Sequence, residues 1–124
     1  MADTAEDTNA GKCVEIEGLM QRNVVAGLHT IPLRPVASSG RGYWGQYLNS
    51  ASFRNQLFPK MQGTKVVSLS RTTVVNATMR YPSLPEQRRI GKFFTTLDSL
   101  IAAAEKRTES LHMLKSAYLQ RMFV

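Results

Sequence analysis

The sequence is short of the residues that most often carry catalysis. Its 124 positions hold one cysteine, two histidines and nine acidic residues, against sixteen lysines and arginines. The lone Cys13 excludes an internal disulfide and fits a reducing cytosol. No apolar run approaches the roughly 18 residues that a membrane helix needs. The start of the chain is polar and acidic, which fits neither a signal peptide nor a membrane anchor, so a cytoplasmic location is expected. Other absences narrow the chemistry. There is no Asn-Pro-Pro-Tyr-type tetrad or glycine-rich loop for a methyl donor, no Gly-Lys-Ser/Thr phosphate loop, and no Asp followed by a Glu-x-Lys pair that would suggest a metal-dependent nuclease. The chain is therefore expected not to be an enzyme and to need no cofactor.

What is present supports a folded protein. Hydrophobic residues make up 43% of the chain, and the length suffices for one small domain plus a helix. The formal charge of +7 is unevenly placed: residues 1–62 carry six basic and five acidic side chains, residues 63–124 ten and four. A basic excess attracts polyanions through counterion release, which makes nucleic acid a candidate partner.

Met1 to Gly11 is rich in turn formers and reads as a loop, with Asp3, Glu6 and Asp7 as solvated acids rather than metal ligands, since neither histidine nor EF-hand spacing supports them. Cys13–Glu17 alternates with period two and predicts a strand, as does Val24–Leu33, with a bulge or close approach at Gly27. His29 falls in that second strand as a structural residue. With Cys13 it makes no credible nucleophile pair, because no third orienting group is recognisable. A helix is predicted from Tyr43 to Met61, with a break near Asn49–Ser50 and its Trp/Tyr stripe turned to the core. Lys60 to Lys65 reads as a recognition loop or as a solvated turn after a helix: Gly63 supplies an unusual backbone angle, Lys60 and Lys65 supply charge, and Gln62 can pair with adenine. Val66–Leu69 predicts a strand, Ser70–Thr73 a capped helical turn, and Val74–Tyr81 a further strand.

The last third organises the rest. With Ile90 at position a of a heptad, the a positions are Ile90, Leu97, Ala104, Leu111 and Tyr118, and the d positions are Phe93, Leu100, Arg107, Leu114 and Arg121. Phe94, Ile101 and Met122 at e widen the stripe. A pattern this long without internal stops predicts a coiled-coil helix. It opens on a capping box, Ser83-Leu84-Pro85-Glu86. A rod of about 38 residues spans roughly 57 Å, too long for so small a domain to cover, so a partner helix is expected; the alternative is a long amphipathic helix folded back on its own domain. Ala103, Ala104, Ser110 and Ala117 leave room for close approach, while Arg107 and Arg121 on the seam suggest an acidic or partly solvated facing surface.

The same residues carry a family likeness. Tyr81-Pro82-Ser83-Leu84-Pro85-Glu86-Gln87 through Ile90-Gly91-Lys92-Phe93-Phe94, then Leu97-Asp98-Ser99-Leu100-Ile101, and finally Leu111 to Lys115 with Leu119-Gln120-Arg121-Met122-Phe123 resemble the distal conserved region of the specificity (S) subunit of type I restriction–modification enzymes. Upstream, Ala2–Thr8, Gly11-Lys12 and Val24–Ile31 with Arg34-Pro35 resemble the later part of that family's target-recognition domain. The resemblance implies an α+β chain: a partial target-recognition domain over residues 1–82, followed by one long helix over residues 83–124. The family's longer N-terminal part has no counterpart here, so a fragment or a naturally truncated chain is expected.

The resemblance also implies a function: a non-catalytic DNA-recognition subunit reading half of a bipartite site, with methylation and cleavage residing in methyltransferase (M) and restriction (R) partners. The expected DNA contacts are Lys60, Gln62, Lys65 and Arg71, with Arg41 and Arg80 on phosphates. Ile90, Phe93, Leu97, Leu100, Ile101, Ala104, Leu111, Leu114 and Tyr118 are expected to pair with a second copy or another S chain. The alternative is an interaction module that binds M subunits or another S chain without reading DNA itself.

Overall fold

The structure is a computed structural model that describes residues 1–6, 9–18, 23–36 and 38–123. Asp7 and Thr8, which belong to the acidic-loop and resemblance readings, lie outside them. The fold is α+β. In order, it consists of β1 (Thr4–Glu6), α1 (Tyr43–Asn49), α2 (Ala51–Arg54), a 3₁₀ turn (Phe58–Lys60), β2 (Val66–Ser68), α3 (Arg71–Val75) and the long α4 (Leu84–Met122). Two compact units, Met1–Lys92 and Phe93–Val124, divide within α4.

In the first unit the spine is the segment that the sequence presents as a loop. β1 pairs antiparallel with β2, Thr4 opposite Ser68 and Glu6 opposite Val66. Just before it, Met1 accepts from the Ile31 amide at 2.8 Å, Ala2 donates to Lys12 at 2.8 Å, and Asp3 donates to His29 at 3.2 Å and accepts from Leu69 at 2.7 Å. Turn-forming composition hid this strand because non-local partners satisfy its backbone. The core beneath it comprises Met1, Ile31, Leu48, Phe53, Leu57, Leu69 and Val74.

Three predicted strands are corrected. Cys13–Glu17 is extended but unladdered: the Asn49 carboxamide accepts from the Cys13 amide at 2.9 Å and donates to its carbonyl at 2.7 Å. The Glu15 carboxylate accepts from the Gly42 and Gly45 amides at 3.0 and 2.9 Å, which covers the donor-rich start of α1. The alternation is real but inverted, since Val14 and Ile16 point outward at 81% and 57% exposure. Val24–Leu33 is interrupted by a turn at Leu28–His29 and, among the described residues, pairs only through an isolated bridge, Thr30 with Ala2. Val74–Tyr81 fails as a strand because Ser70 caps α3, its hydroxyl accepting from the Thr73 amide at 3.1 Å, and the helix takes Val74 and Val75. Beyond α3, the Gln56 carboxamide holds the Thr78 backbone by two bonds of 2.9 and 3.0 Å.

The predicted helix from Tyr43 to Met61 does break at Ser50, whose hydroxyl caps α2 by accepting from Phe53. The break shifts the helical phase. Phe53 and Leu57 become the largest fully buried side chains, while Phe58 turns outward to lie under the Arg54 guanidinium, 5.2 Å from its ring centroid. Trp44 packs edge-on against Tyr43, Tyr47 and Tyr81, with centroids 5.2–5.8 Å apart, so the aromatic stripe is structural.

α4 begins at its capping box with one half of the reciprocal pair formed: Glu86 reaches back, while the Ser83 hydroxyl donates to that carboxylate rather than accepting from the Glu86 amide. The Ser83 amide and hydroxyl both donate to the Glu86 carboxylate, at 3.1 and 2.6 Å. These bonds, with the nearby Arg89 cation, hold the Glu86 carboxyl below its ordinary value. A depressed folded value means the stabilising contribution is complete above the unfolded value of 4.5 and is lost as pH falls through the folded one. Glu86→Gln is therefore expected to lower thermal stability at neutral pH, where the contribution is complete, and to converge with the parent in acid, so that its acid limb is flatter; an acid limb as steep as the parent's would refute the assignment.

Gln87 is the buried polar residue that seats this first turn. Its carboxamide accepts from the Gly40 amide at 3.0 Å and donates to the Pro82 carbonyl at 3.0 Å. Two glycines allow the approach: a Cβ at Gly40 would lie 2.6 Å from Gln87 Cβ, and one at Gly91 would lie 2.0 Å from the Arg41 carbonyl oxygen.

Candidate nucleic-acid interface

The recognition loop is built as a five-residue excursion closed by reciprocal bonds between Gln62 and Ser68, at 3.0 and 2.7 Å. Gly63 makes it possible: its φ is +110°, and an added Cβ would sit 2.0 Å from the Val66 carbonyl oxygen. Lys60 ends the 3₁₀ turn and Lys65 sits on the excursion, both exposed. Arg71 is the first residue of α3, directly after the Ser70 cap.

These expected DNA contacts do not form one set. Lys60 and Gln62 open onto a common cavity of about 180 Å³, shared with Asp3, Thr4, Ser70 and Thr73. Arg41 is engaged elsewhere, its Nε donating to the Glu17 carboxylate. Arg80 lies in the irregular stretch after α3, where its amide donates to the Tyr47 hydroxyl at 3.1 Å. In the sequence Asp3 reads as a solvated acid and Ser70–Thr73 as a capped helical turn, not as parts of a site. No local pattern marks them, because residues some sixty positions apart come together only when β1 pairs with β2.

Burial pushes the Cys13 thiol above its ordinary value, which disfavours the thiolate a nucleophile needs. His29 Nδ1 stands 3.5 Å from Asp3 Oδ1, in a turn rather than a strand. No trio of His, Cys, Asp or Glu among the described residues is placed to hold a metal.

The second unit presents the other candidate surface. Phe93, Leu100 and Leu111 are 63%, 63% and 58% exposed, and Leu97, Ile101, Ala104, Leu114 and Tyr118 are exposed with them. Of the nine expected pairing residues only Ile90, in the first unit, is half-buried. No described helix is long and apolar enough to cross a membrane. No family model, curated protein or solved structure matches the chain.

Proposed function

We propose that this chain is a non-catalytic, cytoplasmic DNA-recognition subunit, similar to the S subunits of type I restriction–modification enzymes. In this reading the small α+β unit reads one half of a bipartite site. The long helix pairs with the same helix of a second copy and offers a docking surface for M subunits and, through them, the R subunit. The observation that carries it is α4: 39 unbroken residues whose heptad stripe is exposed from Phe93 onward. Large apolar side chains repeated along one stripe are what a partner helix covers. The motif from Tyr81 to Phe123 supports the family assignment, and the basic excess supports a polyanionic partner.

The stripe is self-complementary when reversed. A two-fold antiparallel pair centred between Glu105 and Lys106 sets Leu100 against Leu111, Leu97 against Leu114, Phe93 against Tyr118 and Arg107 against the small Ala104. Two recognition units related by that axis would read an interrupted palindrome, with helix length fixing the spacer. Co-purification with M subunits tests the assembly. Loss of the interaction on removing the α4 seam is expected, and failure of the intact chain to bind any M subunit would overturn the assignment.

DNA contact is tested by salt. Lys60→Gln and Lys65→Gln are each expected to lower the slope of log affinity against log salt by about one. Arg41→Gln should change it less, because Glu17 already neutralises that guanidinium. Unchanged slopes for both lysine variants would remove them from the interface. That same Arg41–Glu17 pair is the one observation favouring the second reading, an interaction module that docks M subunits without reading DNA, since it leaves fewer free cations for phosphate.

A further inference from the structure

The apolar stripe of α4 can be covered by a second copy in either of two directions. In a parallel pair in register, Phe93, Leu97, Leu100, Leu111, Leu114 and Tyr118 each meet their own counterpart. In the reversed pair they meet one another, and the same side chains leave water. Hydrophobic burial follows the area covered and has no direction of its own, so these residues do not choose between the two. The choice falls to the residues that interrupt the stripe: Ala104, Arg107 and Arg121.

Both arginines are exposed and carry no hydrogen bond or ion pair among the described residues. Their own helix offers no counter-charge at the spacings that meet on a helix surface. Three and four positions from Arg107 stand Ala103, Ala104, Ser110 and Leu111; before Arg121 stand Ala117 and Tyr118. A facing copy offers none beside the seam either. Between Phe93 and Met122 the acids are Asp98, Glu105 and Glu109, at heptad positions b, b and f, and none stands at the flanking e or g positions.

The two directions therefore treat these cations very differently. Parallel pairing sets Arg107 against Arg107 and Arg121 against Arg121, two layers of facing like charges, and leaves Ala104 against Ala104 with little to fill the layer. Antiparallel pairing sets each Arg107 opposite an alanine, where the small Ala103 and Ser110 beside it leave its stem a way along the seam with the guanidinium in water. It also carries the two Arg121 side chains to opposite ends of the rod, about 46 Å apart at 1.5 Å per residue, well beyond the Debye length in physiological salt.

We propose that Arg107 and Arg121 set the direction in which two copies of this chain pair: they exclude the parallel arrangement and leave the antiparallel homodimer as the one that assembles. The inference rests on the self-pairing of α4 proposed above and names the residues that give it its geometry. A polar residue on a coiled-coil seam specifies the arrangement at a cost in stability, and like charges brought face to face reject the wrong one.

Disulfide trapping reads the direction. Cys13→Ser removes the only native cysteine. In that background a chain carrying Leu97→Cys joins its own kind only when parallel, and joins a differently tagged chain carrying Leu114→Cys only when antiparallel. The parent seam is expected to give the mixed disulfide and almost none of the Leu97→Cys self-product. Arg107→Leu combined with Arg121→Leu is expected to bring up the self-product beside the mixed one, and to tighten the dimer by roughly tenfold or more as seam charges give way to apolar side chains. Arg107→Lys with Arg121→Lys keeps the charge and is expected to keep the mixed disulfide alone. Abundant self-product from the parent seam, or a double-leucine variant that still yields only the mixed disulfide, would overturn the proposal. A parent that forms neither disulfide and scatters light as a single chain would sink the self-pairing of α4 itself, and this inference with it.

Discussion

Replacing Leu100 and Leu111 together by aspartate is expected to turn a two-chain particle into single chains while leaving the first unit folded. In the antiparallel register these two residues face each other twice across the axis, so four large side chains are lost at once. At roughly 1.5–3 kcal/mol for each buried side chain, the change removes about 6–12 kcal/mol of gross association energy. Ordering of side chains on association lowers the net figure, but buried carboxylates facing one another add a penalty of their own. A rise of at least about four orders of magnitude in the dissociation constant follows, since each 1.4 kcal/mol is tenfold. The only tryptophan, Trp44, lies in the first unit. Its fluorescence therefore reports whether that unit survives: a lower mass by light scattering with an unchanged emission spectrum is the expected pair of readings. Dimers that persist in the double variant would show that the seam lies on another face of the helix.

Gly91→Ala carries the second large effect, and here local propensity and packing predict opposite signs. Alanine in place of glycine inside a helix stabilises by about 1 kcal/mol in isolation. At Gly91 the added Cβ would stand 2.0 Å from the Arg41 carbonyl oxygen, a backbone atom that cannot swing aside as a side-chain tip can. Overpacking of this kind costs about 1–3 kcal/mol or more, and it also strains the neighbouring Gly40–Gln87 bond. A net loss of about 2 kcal/mol would lower the melting temperature of a unit this size by roughly 8–16 °C. Thermal denaturation followed by Trp44 fluorescence measures it directly. A variant melting at or above the parent temperature would mean that the loop at Gly40–Tyr43 does not sit on the helix as described.

Legibility in the sequence depended on how local each interaction is. The Ser83–Glu86 box, the Ser70 cap, the break at Ser50 and the need for glycine at position 63 all involve residues within about five positions and are readable, and β2 is readable from its own β-branched run although its partner β1 is not. The long helix was readable because its heptads repeat. What stayed hidden was side chain to distant backbone. Asn49 and Gln56 each accept from and donate to one backbone residue, Cys13 and Thr78, 36 and 22 positions away, as a strand partner would, while Gln87 accepts from Gly40, 47 positions away. That is why Cys13–Glu17 and Val74–Tyr81 carry strand-like composition without a ladder. The candidate site divides the same way. Lys60 and Gln62 could be chosen from the glycine-bearing loop, but Asp3 enters the cavity only through the pairing of β1 with β2, and Arg41 leaves the free set only through Glu17.

The claim on which the rest depends is that the apolar stripe of α4 is covered by a second copy of the chain. Light scattering on the intact chain at tens of micromolar measures this most directly. Pairing requires twice the 13.9 kDa chain mass, falling toward one chain on dilution; a single-chain mass at that concentration would contradict it.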